Sequence, residues 1–282
     1  MAGAAIAAGV AVSGCGVTKA VSGFVDPVAK AADVTATAPG YRIAATMTVG
    51  LGSTGQTAHA TMSGVMDRAD KQASITVHET AAGHAVTTTE KLSGTTIYMN
   101  AAQLGGAGTV PGGKPWIKYD LSRATEAMGL GGLSTSSDPS QFVDYLRAAG
   151  GNATRVGTQT IRGVPTTHYH VVVSFDRYLT LVRPAVRAAA AARSVSLLES
   201  MLGSHTMQMD AWVDSKRLVR RMSFSLAECV AKQHLNIGMM MDLYDYGPQP
   251  RPALPSASQT YDITPQVAKV LKNVKLSCGS SS

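Results

Sequence analysis

Aromatic and charged residues are scarce in this chain. Phe, Trp and Tyr make up 5% of its 282 residues, and Asp, Glu, Lys and Arg only 15%. The formal charge is +7, yet the basic residues form no dense block and rarely alternate with aromatics. Nucleic-acid binding, which needs a basic stripe beside stacking side chains, is thereby excluded. The charge fits an anionic membrane or lipid headgroup instead. No apolar run approaches the ~20 residues that span a bilayer as a helix. The G-x-S-x-G elbow of the α/β-hydrolases is missing, and no close pair of carboxylates lies in a pocket-like context. No catalytic residue is assigned, and the chain reads as a non-enzyme without a cofactor.

Three patterns imitate known motifs and fail on their chemistry. Gly108 to Lys114 has the G-x-x-x-x-G-K spacing of a phosphate loop. The Mg²⁺-holding Ser or Thr is replaced by Pro115, and Trp116 to Asp120 reads as a strand where a helix is required. His78-Glu79 and His84 evoke a zinc protease, but those histidines are six apart with Gly83 between them. His168 and His170 share a strand face and lack a third ligand, so they read as solvated histidines and no metal site is assigned.

What the chain has is a small-residue apolar run, Ala4 to Ala11, leading into Val12-Ser13-Gly14-Cys15. This is a lipobox: a small residue before the cysteine lets the signal peptidase cleave there after lipid is attached to the sulfur. Residues 1–14 are then a signal peptide and Cys15 carries the anchor. No Lys or Arg precedes Cys15, which is read as a start assigned too late. One acyl chain gives ~0.8 kcal/mol per buried CH₂, so stable anchoring needs two or more. The other cysteines, Cys229 and Cys278, form an even pair in an oxidising compartment; a disulfide between them and two separate thiols are the readings left open.

Residues 15–39 read as a tether holding one short helix around Val25 to Ala32, and residues 40–278 as a single domain. From Tyr41 the apolar period is two, with Ile43, Ala45, Met47 and Val49 alternating with Ala44, Thr46 and Thr48. Similar runs follow at 58–66, 75–79, 86–92, 95–99, 116–120, 154–161, 166–173, 207–213, 218–226 and 235–246. Helices are expected after Ser122, after Asp138-Pro139, over 175–202 and over 265–271, with Arg183 and Arg187 on the longest. The absence of βαβ alternation predicts an α+β fold, one large curved antiparallel sheet with helices packed on one face. Methionine outnumbers phenylalanine 13 to 4. Flexible thioethers suit a surface that accepts loosely defined apolar shapes.

Several segments resemble the actinobacterial LppX/LprG-type lipoproteins, which share a fold with the LolA/LolB carriers. They are the lipobox, Gly113 to Leu121, Asp138-Pro139, Gly157 with Gly163 to Tyr169, and Ala211 to Asp214 with Leu218 to Arg221. The resemblance implies a half-barrel whose concave face, roofed by helices, holds acyl chains of an envelope lipid or glycolipid. The wall is expected from Ile43, Met47, Val49, Met62, Ile75, Val77, Tyr169 and Val171, with Leu179, Val182 and Val186 from the roof. A one-residue slip in register would exchange the faces and replace this list entirely. The expected protein is a monomer on the outer face of the cytoplasmic membrane. It carries lipid and engages an envelope transporter; the other reading is an accessory subunit of a transport or cell-wall complex. Cys15→Ser is expected to move the protein, expressed from an upstream start in a lipoprotein-processing host, from the membrane fraction to the soluble one. Retention in the membrane fraction would contradict the lipobox.

Overall fold

The computed structural model describes residues 26–51, 55–81, 83–103, 110–127, 141–149, 152–174, 177–178, 206–230 and 233–272. The lipobox, nearly all of the helix expected over 175–202, and Cys278 lie outside the described residues.

The organising element is a twelve-stranded sheet in the order β12-β6-β5-β4-β3-β2-β1-β11-β10-β9-β8-β7. Strands β1 (Gly40–Leu51), β2 (Thr57–Asp67), β3 (Gln72–Ala81), β4 (His84–Ser93), β5 (Thr96–Asn100) and β6 (Trp116–Asp120) run as an antiparallel meander. Strands β7 (Ala153–Ile161), β8 (Val164–Ser174), β9 (Thr206–Asp214), β10 (Val219–Val230) and β11 (Gln233–Tyr244) form a second one. Pairing of β1 with β11 fuses the two meanders. The three-residue β12 (Thr260–Asp262), absent from the sequence reading, runs parallel to β6 and ends that edge. The turn joining β7 to β8 is the two-residue Arg162-Gly163. Their φ values of 48° and 78° match the twist of a tight hairpin.

Helix α1 (Pro27–Ala36) is the short helix expected around Val25 to Ala32, extended by one turn and docked on the sheet. Asp26 Oδ1 accepts from the N–H groups of Val28 and Ala29 at 2.9 and 3.2 Å, and Pro27 occupies the first turn. Val28, Ala31 and Ala32 are fully buried. Thr35 Oγ1 accepts from Val219 N–H at 2.9 Å, so the helix is hydrogen-bonded to the sheet. Its docking is not legible in the sequence because its apolar residues are mostly alanines, which bury completely while contributing little hydropathy. Helix α2 (Leu121–Ala127) is capped by Asp120, not Ser122: Asp120 Oδ1 accepts from the Ser122 N–H and hydroxyl at 2.9 and 2.7 Å. Helix α3 (Gln141–Arg147) packs on α1 and β8, and α4 (Thr264–Lys272) on α2 and β6. Together α1 and α3 cover the concave side where β8, β9 and β10 pass. The fold class expected from sequence is thus the one observed: a curved antiparallel sheet with helices on its concave side.

Gly64 marks the closest backbone approach in the sheet. A Cβ there would stand 2.2 Å from the Ser74 carbonyl oxygen and 2.9 Å from Ile75 Cα. Gly64→Ala is expected to destabilise the fold by about 1–3 kcal/mol in chemical denaturation, since backbone must shift to admit the methyl. Gly238→Ala, whose nearest contact is Ser225 Oγ at 3.9 Å, is the control that should leave stability within about 0.5 kcal/mol.

Candidate functional site

Antiparallel partners share a face, so the register decides which side chains meet. Along β1, Tyr41, Ile43, Ala45, Met47 and Val49 face the concave side, while Arg42, Ala44, Thr46 and Thr48 face outward. Through β2 and β3 the same face collects Ala58, Ala60, Met62, Met66, Ile75 and Val77. Through β11 and β10 it collects Ile237, Met239, Met241, Met222, Phe224 and Leu226. Through β9 and β8 it continues as Met209, Ala211, Tyr169 and Val171. The structure therefore puts Ile43, Met47, Val49, Met62, Ile75, Val77, Tyr169 and Val171 on one face. Leu179, Val182 and Val186 lie outside the described residues, as do Arg183 and Arg187. Among the strand methionines described, only Met240 points outward.

The concave face divides in two by burial. Near α1 and α3 it is filled by the protein's own side chains. Tyr41, Met66, Val171, Met209, Met222 and Leu243 are all less than 3% exposed, and Ile43, Ile75 and Val77 join them in the core. Each such side chain contributes ~1.5–3 kcal/mol to the fold. Farther along β1, β2, β10 and β11, cover thins. Met47, Val49, Ala58, Met62, Leu226, Ile237 and Met239 are half-buried and adjacent through the ladders. This half-buried apolar strip is the candidate site. Of the expected wall, Met47, Val49 and Met62 belong to it, whereas Ile43, Ile75, Val77 and Val171 are committed to core. Half-buried Tyr169 lies elsewhere, lining a cleft of about 290 Å³ beside Pro27, Lys30 and Thr167 at the start of α1.

Ala58, Leu226, Ile237 and Met239 are members of the strip that the expected wall does not include; the last three lie on β10 and β11. Their alternation with Ser225, Asn236 and Gly238 is visible, but the run Met239-Met240-Met241 carries no parity of its own. Only pairing with Met47, Thr46 and Ala45 shows that Met239 and Met241 face inward and Met240 outward.

The rejected motifs behave as their chemistry dictates. Lys114, at the end of the motif, donates to the Thr260 carbonyl at 2.9 Å and β6 follows directly, so this lysine fastens the edge of the sheet; Gly108 and Thr109 lie outside the described residues. His78 faces outward and pairs with the Thr87 hydroxyl at 2.8 Å. His168 and His170 are not simply solvated: their ring nitrogens lie 2.9 and 3.4 Å from Asp210 Oδ1, and His168 stacks on Trp212 with centroids 4.3 Å apart. Among the described residues no cluster of three or more His, Cys, Asp or Glu is placed to hold a metal ion. Cys229 lies on β10 opposite His234.

Two acidic groups interrupt the apolar concave face: exposed Glu79, opposite Ala60, and the more deeply placed Glu90. Glu90 lies between Ile75 and Met99 in the cross-strand row. Burial, and secondarily the charge of Glu79, hold its carboxyl above the usual 4.5. Tyr119 is likewise raised by burial and then by the Glu90 charge. Because the folded chain holds the Glu90 proton more tightly than the unfolded chain, the penalty is absent at low pH. It grows as pH rises above the unfolded value of 4.5 and levels off once pH exceeds the folded one. Glu90→Gln is expected to raise the Tm at neutral pH, with the gain shrinking toward zero below pH 4.5. A gain independent of pH would refute the desolvation account.

No protein-family model matches the chain. It is 30% identical over 173 residues to an uncharacterized 31.2 kDa protein of Streptomyces griseus from the rplA-rplJ intergenic region. That stretch is 58% of this chain and 53% of the relative, so the match spans about half the relative's length. Among solved structures the chain is similar to LprF from Mycobacterium bovis, with 12% identity, a TM-score of 0.39, and coverage of 80% of this chain and 94% of that one. It is also similar to a LolA superfamily protein from Nitrosomonas europaea, with 7% identity, a TM-score of 0.32, and coverage of 80% and 93%. The fold class itself, one large curved antiparallel sheet with helices on its concave side, rests on the strand order and register given above.

Proposed function

We propose that this protein is a non-enzymatic lipid carrier of the cell envelope, anchored through Cys15 on the outer face of the cytoplasmic membrane. Acyl chains of an envelope lipid or glycolipid lie along the strip formed by Met47, Val49, Ala58, Met62, Leu226, Ile237 and Met239, while the polar head stays at the mouth. The supporting observation is that strip: contiguous, half-buried and built without a polar side chain. Soluble proteins seldom leave connected apolar surface incompletely covered unless something else covers it. Its composition of thioethers, small residues and aliphatic chains gives an adaptable surface suited to chains lacking hydrogen-bonding groups. Burial of ~16 carbons at ~0.8 kcal/mol per CH₂ yields on the order of 10 kcal/mol before ordering costs, so affinity needs no specific polar contact.

The carrier reading predicts co-purifying lipid. Native mass spectrometry of gently purified protein is expected to show a mass excess that dissociates as acyl lipid. Ala58→Trp, which fills the strip at a half-buried position, is expected to reduce bound lipid several-fold with the circular dichroism unchanged. Lipid-free protein that also fails to take up lipid from vesicles would leave the accessory-subunit reading in its place.

A further inference from the structure

The outward face of the same sheet carries a depression that the carrier reading does not use. It has a volume of about 470 Å³ and is lined by Thr46, Thr48, His170, Gln208, Asp210, Ser223, Ser225, Gly238 and Met240, with Phe224 and Met239 reached from the strand backbone side. Two adjacent cross-strand rows build it. One runs Thr46, Met240, Ser223, Asp210, His170, and the other Thr48, Gly238, Ser225. Gly238 makes the notch: a Cβ there would meet only Ser225 Oγ, at 3.9 Å.

The lining has a definite chemical character. Among the described residues, the side chains of Thr46, Gln208, Ser223 and Ser225 make no hydrogen bond within the protein, leaving hydroxyl and amide groups that both donate and accept. Asp210 adds a carboxylate already held in place by His168 and His170 at 2.9 and 3.4 Å. Met240, 41% exposed, adds an apolar surface beside them. Among the described residues, no Lys or Arg lines the depression, although the chain as a whole carries a charge of +7. A phosphate, sulfate or carboxylate would meet the Asp210 carboxylate with no described cation beside it. A cationic ligand would find a single carboxylate already shared by two imidazoles. The complement of many neutral donors and acceptors, one fixed carboxylate and one apolar patch is a polyol ring, whose hydroxyls both donate and accept and whose C–H face is apolar.

We propose that this convex-face depression binds a neutral glycan, with Asp210 and the Gln208, Ser223, Ser225 and Thr46 side chains taking its hydroxyls and Met240 its C–H face. The site is separate from the lipid strip, and its occupancy does not depend on that assignment. The test is calorimetric titration of the full chain with neutral oligosaccharides of pentose and hexose units, followed by spectra of ¹³C-methyl-labelled Met and Thr. Binding of a neutral oligosaccharide should shift Met240, Thr46 and Thr48 while Met47 and Met62 stay in place. Gly238→Val, which fills the notch, should weaken binding roughly tenfold or more, as the loss of two hydrogen bonds would. Gln208→Ala with Ser225→Ala provides a second pair of variants at exposed positions. Absence of binding by every neutral oligosaccharide would overturn the proposal. So would tighter binding of acidic ones, shifts confined to Met47 and Met62, or unchanged affinity in all these variants.

Discussion

The structure depends on the antiparallel ladder linking β1 to β2 and β11. Strand side chains alternate with a period of two, so this register settles which half of every strand faces the helices. Pairing of Met47 with Met239 and Ala60, and of Ala45 with Met241 and Met62, puts thioethers and small groups on one side. The same pairing sends Thr46, Thr48, Thr61 and Ser63 to the other side. A slip of one residue would turn hydroxyls toward α1 and methionines toward water. The apolar strip, the filled core and the hydroxyl-lined outer depression are thus three consequences of one register.

The outer face has its own means of holding that register. Asp242, 7% exposed, accepts from Arg221 Nε at 2.6 Å and Arg162 Nε at 2.9 Å, joining β11 to β10 and to the β7–β8 turn. Arg162 also lies over the Tyr244 ring at 4.1 Å. Trp212 is sandwiched against His168 and donates to Gln159 Oε1 at 2.8 Å, tying β9 to β7 across β8. These contacts are specific and polar, whereas the concave contacts are adaptable and apolar. A face held rigid from behind can leave its front incompletely packed without losing its strand order.

Much of this was legible in the sequence, and the parts that were not have identifiable causes. Strict alternation such as Ile43-Ala44-Ala45-Thr46-Met47 exposes both the strand and its face, which is why eight expected wall residues fall on one side. Depth was not legible. Ile43, Ile75 and Val77 have the same local pattern as Met47 and Val49, yet the first group is buried in the core and the second is half-buried, a difference that long-range packing decides. The methionine triplet at 239–241 hid its parity because consecutive like residues carry no alternation. Helix α1 was legible, but its docking on the sheet was not, because alanine buries fully with little hydropathic signal. His168 and His170 showed their shared face in sequence but not their partner, because Asp210 is forty residues away and reaches them only through the β8–β9 pairing.

The account turns on fatty tails lying against the half-buried strip and not against the hydroxyl-rich face behind it. The most direct measurement is paramagnetic broadening of ¹³C-methyl methionine signals by a fatty acid carrying a nitroxide on its chain. The account predicts selective loss of the Met47, Met62 and Met239 signals, with Met240 on the opposite face retained. Equal broadening of Met240 and its inward neighbours, or none at any of them, would contradict it.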